Sequence, residues 1–227
     1  MHATTLVAVW TPERLLLGAD SLTFTGAPEP AALGCKIACE GDTYFALSGL
    51  VEDRAVNFEL ATLARQAMKQ TCAMDERLAA FREIVRPGLA RALALVKKES
   101  PADFEFLLAG HPVVQAIFAE VQAGSPLFAV ASFQLAPTGE LREYSAVLAD
   151  QNDTRGPRII YAGQQGRIRE YLRAHQDWAV GDQPQLVREL IELEIRAGTG
   201  RVGGPVDLLS VAPGRAEWIS RKSVCAD

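Results

Sequence analysis

The sequence lacks the features that mark membrane-spanning, metal-binding and nucleic-acid-binding proteins. Its longest apolar runs are far shorter than the ~20 residues that a membrane helix needs. Its four cysteines form no CxxC pair, and no His/Cys cluster has the spacing of a zinc site. A net charge of −5 without a basic stripe argues against nucleic acid and against anionic membrane. The sequence therefore predicts no metal and no cofactor.

The cysteines and the N-terminus together predict a compartment. Three of the four cysteines lie in apolar or mixed stretches, which is typical of reduced, packed thiols; the four are Cys35, Cys39, Cys72 and Cys225. The first residues carry no basic leader, and their apolar residues alternate with threonine and other small residues, so no signal peptide is predicted. We therefore expect a protein of the reducing cytoplasm.

Length and composition are those of an ordinary globular domain. Of the 227 residues, 48% are hydrophobic and 22% charged. A chain of this length buries roughly 70% or more of its unfolded surface without a metal or a disulfide. We expect a single domain over residues 1–227.

Strand-like and helix-like segments occur in clusters rather than in alternation. Strands are predicted at 4–10, 15–19, 36–39 and 43–47, helices at 51–69 and 75–98, strands at 104–108, 116–121, 127–135, 142–147 and 158–162, helices at 167–174 and 183–197, and a final hairpin at 206–211 and 217–220. Pro87 is expected to kink the second helix. Glu192 and Glu194 fall on the last helix, where solvated charge is the ordinary state. This order is typical of an α+β fold.

Three polar features stand out near the N-terminus. They are the Thr4-Thr5 pair, Asp20-Ser21 after a buried strand, and Lys36 inside an apolar stretch. Each has an ordinary structural explanation: β-propensity, turn chemistry and a lysine that reaches solvent, respectively. A lysine that enters a core needs a carboxylate partner, because an unpaired buried charge is costly. Asp20 is the nearest candidate in the sequence.

Together these segments resemble a known family. Thr-Thr-Leu-Val-Ala-Val at 4–9, Leu-Leu-Leu-Gly-Ala-Asp-Ser at 15–21, Gly-Cys-Lys-Ile at 34–37 and Ala-Leu-Ser-Gly at 46–49 are similar to the start of proteasome β subunits and of the bacterial HslV peptidase. Residues 158–163 and 201–211 resemble two later strands of that family, whereas 70–150 match only in pattern. The resemblance implies an N-terminal-nucleophile (Ntn) hydrolase: a four-layer αββα sandwich with two stacked antiparallel sheets between helix layers.

The resemblance also implies a catalytic site. Thr4 occupies the place of the nucleophile, with Asp20 and Lys36 on the family's Asp and Lys. Cleavage before Thr4 would free its α-amine, whose ordinary pKa of about 7.7–8.0 suits a base near neutral pH. The hydroxyl would then attack an amide carbonyl, Lys36 would be charged and balanced by Asp20, and the Gly49 N–H would stabilise the oxyanion. Ser21 and Ser48 would be supporting residues, and Thr5 is the alternative nucleophile.

Two places depart from the family pattern. Its Gly-Ser-Gly turn reads Gly163-Gln164-Gln165-Gly166, so a glutamine replaces the serine that lies beside the nucleophile. Thr199 and Val202 replace an Asp and a Ser shortly before the Gly-Gly. Gln164, Gln165 and Thr199 can still offer hydrogen bonds, whereas Val202 cannot. Ala3 stands where the family usually has glycine, so removal of residues 1–3 is an open question.

These departures leave three functions open. The first is a threonine-type peptidase; the second is a catalytically inactive assembly or regulatory protein with the same fold; the third is an Ntn amidase that acts on a small amide. The resemblance implies a homo-oligomer, possibly a ring, and an ATP-dependent unfoldase as a possible partner.

Overall fold

The computed structural model describes residues 4–23, 32–150, 153, 156–198 and 202–225. In this part of the chain the strands are β1 (Thr5–Thr11), β2 (Arg14–Ala19), β3 (Leu22–Thr23), β4 (Ala32–Leu33), β5 (Ile37–Glu40), β6 (Thr43–Gly49), β7 (Glu52–Asp53), β8 (Phe58–Glu59), β9 (Pro112–Glu120), β10 (Leu127–Leu135), β11 (Leu141–Ala149), β12 (Arg158–Gly163), β13 (Asp207–Ala212) and β14 (Arg215–Ser220). The α-helices are α1 (Leu60–Met68), α2 (Met74–Glu99), α3 (Pro101–Leu108), α4 (Gly166–Ala174) and α5 (Gln183–Arg196).

Two five-stranded antiparallel sheets form the centre of the molecule. The first has the order β12-β1-β2-β13-β14 and the second the order β11-β10-β9-β6-β5. One buried cluster joins the facing surfaces of the two sheets. A second cluster joins the first sheet to α4 and α5, and a third joins the second sheet to α1, α2 and α3. The α+β fold with two stacked antiparallel sheets between helix layers is therefore confirmed.

Strand β1 is buried on both faces because it lies in the middle of this sandwich. Leu6, Ala8 and Trp10 face the second sheet, whereas Val7 and Val9 face the helices. Side chains alternate between the two faces of a strand. A continuous apolar run is therefore what a strand covered on both sides requires.

Two predicted elements were wrong in type or extent. Residues 104–108 were expected to be a strand but belong to helix α3, in which Phe104 and Leu107 are buried. Pro101 stands in the first turn of α3, where its missing N–H costs nothing. The helix predicted from residue 51 begins only at Leu60, after a short hairpin and a 3₁₀ turn. Helix α2 continues through Pro87 to Glu99.

The cysteine prediction was wrong for two of the four residues. Cys35 and Cys225 form a disulfide that joins positions 190 residues apart in the sequence. Cys39 and Cys72 are free thiols. Spacing alone carried no sign of the disulfide, because the two cysteines meet only when the C-terminal segment folds back beside β4.

No helix in the described residues is long and apolar enough to cross a membrane.

Candidate active site

Thr4 lies at the very start of the first sheet and is buried, with 3% of its surface exposed. The next residue, Thr5, opens β1 and faces Gly163 of β12. Its backbone N–H donates to Asp20 Oδ1 at 2.8 Å, and its hydroxyl donates to the Gln164 carbonyl at 3.3 Å. The Thr5 hydroxyl is therefore used in holding the β12 turn.

Asp20 follows β2 and is fully buried. Besides the Thr5 N–H, its Oδ1 accepts a hydrogen bond from Lys36 Nζ at 2.8 Å. Its Oδ2 accepts from the N–H groups of Leu22 at 3.3 Å and Gly203 at 3.2 Å. Both carboxylate oxygens are thus engaged, and a buried carboxylate with this many donors is held in one orientation.

Lys36 enters the site from the segment just before β5. Its side chain is 10% exposed and forms the ion pair with Asp20 that its apolar surroundings demand. Burial lowers the pKa of Lys36 from its ordinary value near 10.5, and the Asp20 carboxylate opposes that shift. The nearby charge of Lys222 lowers the pKa of Lys36 further.

Ser21 holds the Gly203-Gly204 segment against Asp20. Its N–H donates to the Gly203 carbonyl at 2.9 Å, and its hydroxyl donates to the Pro205 carbonyl. Gly204 has φ +77°, and a Cβ there would lie 3.1 Å from the Ser21 Cβ. The contacts of Ser21 therefore fix the backbone that donates to Asp20.

Gly49, the expected oxyanion donor, ends β6 with φ +94°. The next N–H, that of Leu50, donates to the Val113 carbonyl at 2.8 Å. Gly49 faces Val114 of β9, and β5 covers the other edge of β6 only as far as the Ile37–Ala46 pair.

Ser48 and the β12 turn complete the surroundings of Thr4. Ser48 is 1% exposed, and its hydroxyl has no hydrogen-bond partner among the described residues. The Gln164 N–H donates to the Thr4 carbonyl at 2.8 Å, and the Gly163 N–H donates to Gln115 Oε1 at 3.1 Å. Gly163 has φ +78°, and a Cβ there would overlap the Thr4 carbonyl. Only glycine permits this approach of the turn to Thr4.

Three further residues were singled out from the sequence: Gln165, Thr199 and Val202. Gln165 precedes α4 without a side-chain hydrogen bond to the helix. Thr199 lies outside the described residues. Val202 is buried, with 5% of its surface exposed.

Sequence reasoning missed several polar residues near the site. Glu194 was expected to be solvated, but it is 3% exposed and accepts the N–H groups of Arg167 and Ile168 at the start of α4. Asp207 and Lys222 form a second buried ion pair at 2.8 Å. An Asp at the start of an otherwise apolar strand is the same signal that singled out Lys36, and it could have identified this pair. Gln115 carried no such signal.

In the described residues, no group of three or more His, Cys, Asp or Glu side chains is arranged to hold a metal ion. The polar groups around Thr4 instead form a chain of hydrogen bonds and ion pairs within the protein. This arrangement holds the backbone on both sides of Thr4 in place and ties a buried lysine–carboxylate pair to it through the Thr5 N–H.

Two solved structures of Anbu share this fold. Anbu from Hyphomicrobium sp. strain MC1 matches with a TM-score of 0.53 and 16% identity, over 95% of this chain and 87% of that one. The Anbu (Gly-1) mutant from the same organism matches with a TM-score of 0.53 and 15% identity, over 96% and 87%. No protein-family model matches the sequence, and no curated protein matches it significantly.

The comparisons correct the resemblance drawn from the sequence. The match to Anbu supports a proteasome-like fold and does not point to HslV or a proteasome β subunit. The motifs that suggested HslV lie on the strands and turns that build this fold. At 15–16% identity the likeness shows the fold alone.

Proposed function

We propose that this chain is a threonine-type amide hydrolase that cleaves peptides, with Thr4 as nucleophile after removal of residues 1–3. One observation carries the proposal: the fully buried Asp20 carboxylate joins the Thr5 N–H to the Lys36 ammonium group, each at 2.8 Å. This arrangement connects a paired cation, through Asp20, to the residue that follows Thr4. Its cost in desolvation is hard to explain by stability alone, because buried ion pairs are weak stabilisers.

In the proposed reaction, the free α-amine of Thr4 takes the hydroxyl proton while Oγ1 attacks the substrate carbonyl. The Gly49 N–H donates to the oxyanion, a contribution of roughly 3–4 kcal/mol in other hydrolases. Collapse of the tetrahedral intermediate breaks the amide C–N bond, and the leaving amine takes the proton. Water then cleaves the Thr4 ester and regenerates the hydroxyl. Lys36 favours the deprotonated forms of Thr4, and Ser48 flanks the oxyanion position.

A catalytically inactive assembly or regulatory protein is the second candidate. Val202 supports this candidate, because a buried valine supplies no side-chain hydrogen bond where the family resemblance placed a polar group. The turn at Gln164 also meets Thr4 through its backbone N–H, a contact that any residue except proline would make. An Ntn amidase acting on a small amide shares the peptidase chemistry and differs only in substrate.

The remaining expectations rest on less evidence. A single domain, a homo-oligomer, a ring and an ATP-dependent unfoldase partner remain predictions from length and resemblance. The cytoplasmic location also remains a prediction, and the Cys35–Cys225 disulfide weighs against a reducing compartment.

The first experiment measures the N-terminus and the reactivity of Thr4 together. Intact mass and N-terminal sequencing should show loss of residues 1–3, and a β-lactone that acylates hydroxyl nucleophiles should label Thr4. Hydrolysis of a peptide library and of small amides is measured on the same sample. Thr4→Ala should lower hydrolysis on the order of 10³-fold or more.

Thr5→Val is the matched control, since it keeps a β-branched side chain one position along the strand. It should lose the 3.3 Å bond to Gln164 but retain labelling at Thr4. An intact N-terminus with no labelling and no hydrolysis would establish the inactive assembly protein. Cleavage of small amides alone would establish the amidase, and labelling at Thr5 would move the nucleophile.

A further inference from the structure

The segment after β14, residues 221–225, packs against the segment that carries Lys36. The Lys222 side chain is 3% exposed, and its Nζ lies 2.8 Å from Asp207 Oδ2. The same Nζ donates to the Gly34 carbonyl, two residues before Lys36. The Lys222 backbone N–H donates to Asp207 Oδ1 at 2.9 Å. Lys222 is therefore held by Asp207 at both its backbone and its side chain, and it holds Gly34 in turn.

A disulfide attaches the same two segments a second time. Cys225 is bonded to Cys35, the immediate neighbour of Lys36. Two successive residues before Lys36 are thus tied to the C-terminal segment, one by a hydrogen bond and one by a covalent bond. These ties restrain the Lys36 backbone independently of the Asp20 ion pair.

Lys222 also brings a second positive charge to the site. Asp207 begins β13 and faces Ala19, the residue before Asp20. The Asp207–Lys222 pair therefore lies beside the Asp20–Lys36 pair. Asp20 and Lys222 are among the charged groups that act on Lys36. Burial is the largest cause that lowers the pKa of Lys36, and repulsion from Lys222 lowers it further. Lys222 is itself balanced by Asp207.

We propose that Lys222 is a positioning residue of this site: it fixes the segment that presents Lys36 and adds positive potential beside it. The role rests on the proposed hydrolase function, because the position of Lys36 and the added positive potential matter only if Thr4 reacts. Loss of Lys222 removes a positive charge that disfavours protonation of both the Lys36 side chain and the Thr4 α-amine, so both groups should stay protonated up to a higher pH. The acid limb of the pH dependence of kcat/KM should therefore move to higher pH.

The test combines a titration that needs no activity with a pH–rate profile. Protein labelled with ¹³C at the lysine ε-carbons is titrated by NMR, and the Lys36 signal is assigned from Lys36→Met. In Lys222→Met the Lys36 signal should titrate at higher pH than in wild type. The acid limb of kcat/KM should move in the same direction, with kcat/KM at neutral pH lower by roughly 10-fold or more, the size of effect seen for residues that orient the ligands of metal sites.

Lys98→Met is the matched control, because it removes the same charge from the exposed end of α2. It should leave both the titration and the profile unchanged. If Lys222→Met does not fold because Asp207 is left unpaired, Lys222→Met/Asp207→Asn removes the ion pair as a whole; it still loses the hydrogen bond to the Gly34 carbonyl, so the same fall in kcat/KM at neutral pH is expected.

The outcomes separate the two proposals. An active wild type whose Lys36 titration and acid limb are the same in Lys222→Met, or shift equally in Lys98→Met, overturns the role of Lys222 alone. If the Lys36 signal shifts in Lys222→Met but the wild type shows neither hydrolysis nor labelling of Thr4, the proposed function is overturned and the role of Lys222 in holding Lys36 is not.

Discussion

At the scale of single residues, Lys36 links the site to the pH dependence of stability. Burial lowers its pKa in the folded state, whereas the unfolded chain titrates near 10.5. Between these two values the unfolded state binds one more proton, so the free energy of unfolding attributable to Lys36 rises with pH. Urea unfolding at several pH values should show wild type gaining stability relative to Lys36→Met as pH approaches 10.5. Parallel curves for the two proteins would contradict the shift.

Gly163 is the residue at which the backbone itself limits substitution. Its φ is +78°, and a Cβ would overlap the Thr4 carbonyl oxygen. Gly139 has a similar φ of +84° but nothing within 4 Å of a Cβ, so it is the matched control. We expect Gly139→Ala to cost about 1 kcal/mol for its φ alone. Gly163→Ala should cost at least about 2 kcal/mol more, because backbone must move.

Thermal and urea unfolding of the two glycine variants measure the difference directly. Equal costs would mean that the turn can move away from Thr4 without loss. In that case the close contact would not be needed to hold the site.

At the scale of elements, α4 depends on one side chain of α5. Glu194 accepts hydrogen bonds from Arg167 N at 2.7 Å and Ile168 N at 3.0 Å, so a buried carboxylate satisfies the first turn of α4. Glu194→Ala should lower the free energy of unfolding by about 1–3 kcal/mol. Glu192→Ala, two residues earlier on a half-exposed position, should change it by less than about 0.5 kcal/mol. Chemical denaturation of both variants checks the contrast.

Because α4 begins directly after the β12 turn, Glu194→Ala should also reduce β-lactone labelling of Thr4. If Glu194→Ala lowers the stability but leaves the labelling of Thr4 unchanged, the start of α4 does not contribute to the site.

The elements that could be predicted from the sequence are those with strong local patterns. β1, β2 and α5 were found at nearly their observed bounds, because their apolar residues repeat with the period of the element. Residues 104–108 failed because a short apolar run fits a buried strand and a buried helix equally well. The segment is a helix in which Pro101 lies in the first turn and Phe104 and Leu107 are buried.

At the scale of the whole molecule, the Cys35–Cys225 disulfide joins the chain across 190 residues. A cross-link over so long a loop restricts the unfolded state most. Reduction should therefore lower the free energy of unfolding by roughly 2–5 kcal/mol. Urea unfolding with and without a phosphine reductant measures the change, and Cys35→Ser/Cys225→Ser should be insensitive to the reductant. Equal stability of reduced and oxidised wild type would rule out a stabilising role.

The sequence by itself determined the α+β class, the order of the main elements and the need for a partner for Lys36. These properties depend on neighbouring residues or on the cost of an unpaired buried charge, and both can be judged locally. Only the tertiary structure decided that Gln164 meets Thr4, that Lys222 and Cys225 hold the Lys36 segment, and that Glu194 is buried. Each of these contacts joins residues far apart in the chain, and they meet only because the sheet register and the packing of α4 on α5 bring them together.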